Sequence, residues 1–311
     1  MRIALAQLAP VWLDRAATLA KIEQYVSDAA GRGAQLVVFG ETLLPGYPFW
    51  LSRANGAAFD DAVQKTLYAH YLRAAVCIER GDLASLCRLA GQHRIAIYLG
   101  VAERPADRGG HSIYCSLVYI HHDGHVRNVH RKLQPTYEER LVWAPGDGHG
   151  LRTHRLHEFT VGGLNCWENW MPLSRTALYA QGENLHVAVW PGAVRNTVDS
   201  TRFLALEGRS YVASASGLLR PTDVPPGTPH RDFILHQQPP LINDGGTCLA
   251  APDGTWVIEP LAGEETLCVA EIDLERVYRE RQNFDASGHY GRPDVTRLVL
   301  NRKRQGLLEE E

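Results

Sequence analysis

Short, almost wholly apolar runs recur along the whole chain: residues 35–39 (QLVVF), 95–102 (IAIYLGVA), 185–190 (LHVAVW) and 211–215 (YVASA). They have the pattern of strands buried inside a sheet rather than of strands with one wet face. Helical patterns separate them. Behind a cap at Asp14, the residues Leu19, Ile22, Val26 and Ala29 recur at helical spacing, and Gly31 and Gly33 stop the run. Further helices are expected over 58–79, 83–93, 172–181 and 199–208. Two hairpins are signalled by turn pairs: Asp123-Gly124 joins 112–120 to 126–133, and Asp253-Gly254 joins 247–252 to 256–259. Residues 221–240 read as a proline-rich loop, 266–272 as a strand, and 274 onward as a helix. No linker interrupts the mixture of strands and helices, so one α/β domain over residues 1–311 is expected. A weak internal echo exists: AAGRGAQLVVF and YAQGENLHVAVW each run from helix end through glycine into a buried strand.

Composition excludes several classes. With 45% hydrophobic and 22% charged residues the chain is globular rather than disordered. A formal charge of −3 argues against a nucleic-acid partner. Nowhere do 18 apolar residues run together, so no membrane span is expected. The first residues lack the apolar core of a secretion signal, and the six cysteines show no CxxC. Reduced thiols and a cytoplasmic location are therefore expected.

Three reactive residues directly follow strand-like runs: Glu41 after QLVVFG, Lys132 at the end of VRNVHRK, and Cys166 after TVGGLN. In α/β sheets such strand ends converge on the ligand crevice. A thiol becomes a nucleophile when a base takes its proton, and a nearby cation stabilises the charge formed on attack. Glu41 fits the base and Lys132 the cation. Taken alone, Cys166 reads more readily as a small buried hydrophobe, and Lys132 as a surface lysine. Glu41 is harder to dismiss, because a carboxylate ending an apolar run is costly to bury without a partner. The histidines at 121, 122, 125, 154 and 157 have no zinc-site spacing, and the first three suit a polar hairpin tip. No metal is expected.

The segments GETLLPGYPFW (40–50), HRKLQPTYEERLVWAPGDG (130–148) and GGLNCWENWMPLSRTALYAQG (162–182) resemble the nitrilase branch of the nitrilase superfamily of carbon–nitrogen hydrolases. ALEGRSYV, GGTCLAAPDG and FDASGHYGRPDV extend the resemblance, in order, over nearly the entire chain. It implies a four-layer α-β-β-α sandwich, with the segment from about 274 as an assembly or packing tail. It also implies that Cys166 is the nucleophile, Glu41 the general base and Lys132 the third catalytic member. Glu139 matches a second glutamate that holds the lysine, and the Trp167 backbone N–H would help stabilise the anionic intermediate. Tyr47, Trp143, Trp167 and Trp190 are candidates for the substrate pocket. The implied reaction converts a small-molecule nitrile to its carboxylic acid and ammonia, without cofactor, in a homodimer or higher homo-oligomer. The alternatives are an amidase or carbamoyl-amide hydrolase, a cyanide hydratase or dihydratase and, further off, a non-catalytic scaffold of the same fold. Gln134 and Ser210 depart from the family's usual lysine and cysteine.

Overall fold

A computed structural model describes residues 1–236, 238–306 and 308. The first half of the chain lays down β1 (Arg2–Gln7), α1 (Arg15–Gly31), β2 (Leu36–Phe39), α2 (Ala62–Ala74), α3 (Ala84–His93), β3 (Ala96–Glu103), β4 (Tyr114–Ile120) and β5 (Val126–Arg131). The second half adds β6 (His154–Leu156), β7 (Phe159–Asn165), α4 (Pro172–Tyr179), β8 (Leu185–Trp190), α5 (Val194–Gly208), β9 (Tyr211–Ser216), β10 (Leu218–Leu219), α6 (Arg231–Leu235), β11 (Asn243–Asp244), β12 (Cys248–Ala250), β13 (Trp256–Ile258), β14 (Thr266–Glu271) and α7 (Leu274–Arg281).

Two six-stranded mixed sheets result, in the orders β14-β1-β2-β3-β4-β5 and β13-β12-β9-β8-β7-β6. Alternate residues of each strand face different layers. Ile3 and Leu5 of β1, with Leu36 and Val38 of β2, meet Val161, Val187, Val189 and Ala213 of the second sheet. On the outer face of the first sheet, Ala4, Ala6, Val37 and Phe39 pack against Ile22, Val26, Leu86 and Ala90 of α1 and α3. Leu204 and Ala205 of α5 cover Ala188 and Val212 of the second sheet, and Ala177 and Leu178 of α4 cover Leu164. This four-layer α-β-β-α sandwich explains the unbroken apolar runs, since every central strand is covered on both sides. The internal echo falls on equivalent places. One copy is the α1–β2 passage beside β1, the other the α4–β8 passage beside β7, and both enter parallel trios of strands.

Several elements differ from sequence expectation. Helix α2 is shorter than 58–79: Asp61 caps it by accepting from the Gln64 N–H, and at Val76 the chain leaves to hydrogen-bond the Ala102 carbonyl. Helix α5 begins at Val194, ahead of residue 199, because the Asp244 side chain accepts from the Val194 N–H. That cap comes from 50 residues away. The proline-rich stretch contains α6, and β6, β10 and β11 were too short to signal themselves. Beyond α7, at Arg281, the chain leaves helix and runs along the first half: Arg304 pairs with Asp147 at 3.0 Å and donates to the Val129 carbonyl at 2.9 Å. No helix among the described residues is long and apolar enough to cross a membrane.

The layers bring one backbone contact of consequence to the site. A Cβ on Gly100 in β3 would lie 2.3 Å from the Gly40 carbonyl oxygen, 2.5 Å from the Thr42 nitrogen and 2.6 Å from the Glu41 Cα. Gly100→Ala is therefore expected to push Glu41 out of place and destabilise the fold by about 1–3 kcal/mol. Gly31→Ala, with nothing within 4 Å, serves as the control that leaves stability unchanged or raised. Denaturant melts of the two variants check this, and equal midpoints would count against it.

Candidate active site

The parallel strands of both sheets end at the same edge of the sandwich, where the Glu41 N–H donates to the Trp190 carbonyl at 3.1 Å. Glu41 is carried there by β2, Lys132 by β5, and Cys166 by β7. All three are buried, as is Glu139, which sits in a short 3-10 turn after Thr136. The Lys132 Nζ donates to Glu41 Oε1 at 2.9 Å and to Glu139 Oε2 at 2.7 Å. Ligand atoms of Glu41, Glu139 and Cys166 lie within 4.8 Å of one another. The four side chains that sequence reasoning singled out for catalysis thus share one buried cluster.

The nucleophile candidate sits on a strained turn. Cys166 has φ +46°, in the left-handed region that costs a residue with a Cβ roughly 1–2 kcal/mol. Buried polar contacts hold it there. Asn169 Nδ2 donates to the Cys166 carbonyl at 2.8 Å, its Oδ1 lies 2.7 Å from His186 Nε2, and His186 Nδ1 lies 3.0 Å from Glu183. Glu168 spans two loops: it accepts from the N–H groups of Leu133 (2.9 Å) and Asn165 (3.1 Å), and meets His130 Nε2 at 2.9 Å. It therefore locks the lysine-bearing loop to the cysteine-bearing turn. Sequence reasoning passed over Glu168, His130, Asn169 and His186. Only the acidic residue in CWEN offered a signal, because buried charge implies a partner.

Electrostatics follow from burial. Desolvation raises the Glu41 carboxyl to about 7, helped by the charge of Glu139 and opposed by Lys132. Desolvation likewise pushes the Cys166 thiol well up, Glu41 adds to it, and Lys132 and the Trp167 backbone N–H oppose it. Burial works against the Lys132 ammonium, yet Glu41, Cys166 and Glu139 hold its pKa well above the usual range. A protonated thiol thus lies beside a carboxyl that titrates near neutrality and a fixed cation. Glu41, Glu139 and Cys166 are the one cluster among the described residues with metal-binding reach, but the Lys132 ammonium already bridges its two carboxylates. At the histidine-rich hairpin, His121 and His125 both face Asp123, at 3.1 and 3.3 Å.

The aromatic candidates are spread around this cluster. The Tyr47 hydroxyl donates to Glu139 Oε1 at 2.9 Å, and the ring borders a narrow recess, of about 10 Å³, shared with Glu41, Leu43, Pro191, Leu219 and Asn243. Trp143 is buried behind the site, its ring centre 5.6 Å from Lys132 Nζ and its Nε1 donating to the Tyr71 hydroxyl at 3.2 Å. Trp190 lies in the core, packed in one apolar cluster with Cys166 and donating to Ser214 Oγ. The Trp167 ring points outward: it is 44% exposed and stacks on Trp170 with ring centres 4.9 Å apart. Its backbone N–H is the part that faces the thiol.

Comparison with known proteins identifies the family and the fold. The family described as carbon–nitrogen hydrolase matches residues 2–282. A protein named Nitrilase 2, from an unknown prokaryotic organism, is 34% identical, with 97% of this chain and 93% of that protein aligned. An aliphatic nitrilase of Sinorhizobium fredii (strain HH103) is 35% identical over 99% of this chain and 97% of its own length. Among solved structures, a CN-hydrolase superfamily protein of Xanthomonas campestris, with an arsenic adduct in its active site, superposes with a TM-score of 0.69. It shares 18% identity and covers 97% of this chain and 99% of that one. An amidase from Nesterenkonia sp. gives a TM-score of 0.63 at 20% identity, covering 91% and 94%. At those identities the two structures speak to the fold alone.

Proposed function

The chain belongs to the carbon–nitrogen hydrolase family, in its nitrilase branch, and from that premise we propose that it hydrolyses a small organic nitrile to the carboxylic acid and ammonia. The observation that carries the reading is the Lys132 ammonium clasped between Glu41 and Glu139, with the Cys166 thiol in the same buried cluster. Glu41 takes the thiol proton as sulfur adds to the nitrile carbon. The new C–S bond gives a thioimidate whose nitrogen, gaining negative charge, is stabilised by Lys132 and the Trp167 N–H. Glu41 returns a proton to that nitrogen and then activates water, which adds to the same carbon. Glu41 passes that water proton to the nitrogen and then the hydroxyl proton as the carbonyl forms, so ammonia leaves, a thioester remains on Cys166 and Glu41 is again ionised. A second water, deprotonated by Glu41, releases the acid and restores the thiol. A carboxyl titrating near 7 suits a group that must alternately take and give protons at neutral pH. Glu139 holds Lys132 in place, the Tyr47 hydroxyl holds Glu139, and the Tyr47 ring borders the narrow recess beside Glu41. Trp143 and Trp190 support it from behind.

Near-full-length likeness to proteins named nitrilases favours nitriles over amides as substrates. Paired assays on one acyl series decide this: ammonia and acid should appear from nitriles with Cys166 intact and be insensitive to chelators. Hydrolysis of the amides alone would reject the nitrile reading in favour of an amidase. Amide as sole end product would indicate a hydratase.

We also propose a homodimer packed through the face next to the nucleophile, in a single domain whose segment from about 274 is a packing tail. Trp170, Leu173, Phe203 and Leu206 are all 40% or more exposed on the turn after Cys166 and on α4 and α5. Of these, Trp170 and Phe203 border an apolar hollow shared with Leu204. Large apolar side chains grouped this way on one face suit a partner surface. Phe203→Glu is expected to turn a dimer into a monomer by light scattering. An unchanged molar mass would place the contact elsewhere. All six cysteines are free thiols in the structure, which supports a reducing, cytoplasmic setting.

A further inference from the structure

A second buried thiol touches the carboxylate that the proposed reaction depends on. Cys115 lies at the start of β4, and its backbone carbonyl accepts from the Lys132 N–H at 2.8 Å. Its Sγ–H donates to Glu41 Oε1 at 3.3 Å, the same oxygen that accepts from Lys132 Nζ. Glu41 Oε2, equally buried, has no hydrogen-bond partner among the described residues. One oxygen of the carboxylate is thus held by two donors, and the other is left open.

We propose that Cys115 is a positioning residue for Glu41: its thiol fixes Oε1 against Lys132 and so reserves Oε2 as the oxygen that exchanges protons with Cys166 and water. The inference rests on the role given to Glu41 above. A carboxylate swings about its terminal bond over a broad range, so a single donor at 2.9 Å leaves its plane loosely set. Two donors on one oxygen, one from strand β4 and one from the loop directly after β5, define it. A buried carboxylate oxygen left bare is costly. Reserving it makes sense where a proton must arrive, and the bare Oε2 is the feature that a purely structural contact does not explain. The thiol also shifts the base, because a donor to the ionised form favours that form. Glu41 is faced by Lys132 and Glu139 from the loop after β5, by Cys166 from the turn after β7, and by Cys115 from β4. The phenols of Tyr47 and Tyr71 complete its surroundings. Removing Cys115 leaves all the others in place.

The test compares wild type, Cys115→Ala and Cys115→Ser by two pH profiles. One is kcat/KM on a nitrile. The other is the rate at which iodoacetamide alkylates Cys166, followed by peptide mass spectrometry, which also separates any reaction at Cys115. Loss of a donor to the carboxylate raises its pKa. Cys115→Ala should therefore move the acidic limb of both profiles upward by about half a pH unit to one unit. Cys115→Ser, which restores a shorter and stronger donor, should bring the limb back to the wild-type pH or below it. Profiles of Cys115→Ala that overlay the wild type would overturn the proposal. If the alanine variant fails to fold, the serine variant decides alone, and an upward limb there contradicts it. A wild-type protein inactive on nitriles but with Cys115-dependent alkylation would sink the nitrilase reading and leave this inference standing.

Discussion

Cys166→Ala is expected to lower kcat/KM for a nitrile by at least about 10⁴-fold while the protein keeps its fold. The size of the loss follows from chemistry. A nitrile carbon is a poor target for water, and without sulfur no covalent intermediate forms. The remaining groups still bind and polarise the substrate, so a small residual rate and a KM near the wild-type value are expected. Stability should change little, or rise slightly, because alanine removes a thiol but also a desolvated titratable group held at φ +46°. Cys166→Ser tests the same point from the other side. Its hydroxyl occupies the site, but it is a weaker nucleophile at neutral pH, so the loss should be nearly as deep. Ammonia release at an undiminished rate from either variant would place the chemistry elsewhere.

Lys132→Met should cost both activity and stability, and the second effect has a characteristic pH dependence. Methionine fills much of the volume but leaves Glu41 and Glu139 buried without their shared cation. Breaking a buried ion pair from one side costs about 3–5 kcal/mol when the remaining charge has nowhere to go. In wild type, burial raises the Glu41 carboxyl from 4.5 to about 7 despite Lys132. A raised carboxyl contributes stability that is fully present below its unfolded pKa and lost as pH rises through the folded one. Lys132, also raised, contributes stability present below its ordinary 10.5 and lost only at higher pH. Removing it pushes the Glu41 carboxyl further up. The gap in Tm between wild type and Lys132→Met should therefore be small near pH 5 and widen towards pH 8. Activity should fall by about 10³-fold or more, since the charge on nitrogen loses its main stabiliser. A Tm gap that shrinks with rising pH would contradict the assignment of a charged cluster at this site.

Much of this architecture was legible because it is written in local patterns. Residues 35–39 and 185–190 are apolar but for Gln35 and His186, and the structure covers those strands on both sides. Glu41, Lys132 and Cys166 stood out because each follows a strand, and strand ends of both sheets meet at one edge. What escaped was made by distant partners. The start of α5 depends on Asp244, and nothing near Val194 announces it. Cys115 was hidden by a register shift. The β4–β5 hairpin has a bulge between Tyr119 and Ile120, so counting back from the Asp123-Gly124 turn sets Cys115 opposite Arg131 rather than Lys132. For Trp167, the backbone N–H faces the thiol, whereas the ring, a candidate for the pocket, is half-exposed and stacks on Trp170. Sequence spacing places a residue at a site but does not say which of its atoms arrives there.

The central claim is that the Cys166 sulfur forms a covalent bond to the nitrile carbon during turnover. Rapid quenching of the wild-type protein with a small aliphatic nitrile, followed by intact and peptide mass spectrometry, tests it directly. The predicted result is a transient mass increase equal to the acyl or imidoyl group, confined to the peptide carrying Cys166 and absent from Cys166→Ala. Turnover to acid and ammonia with no adduct, or with an adduct on any other residue, would contradict the account.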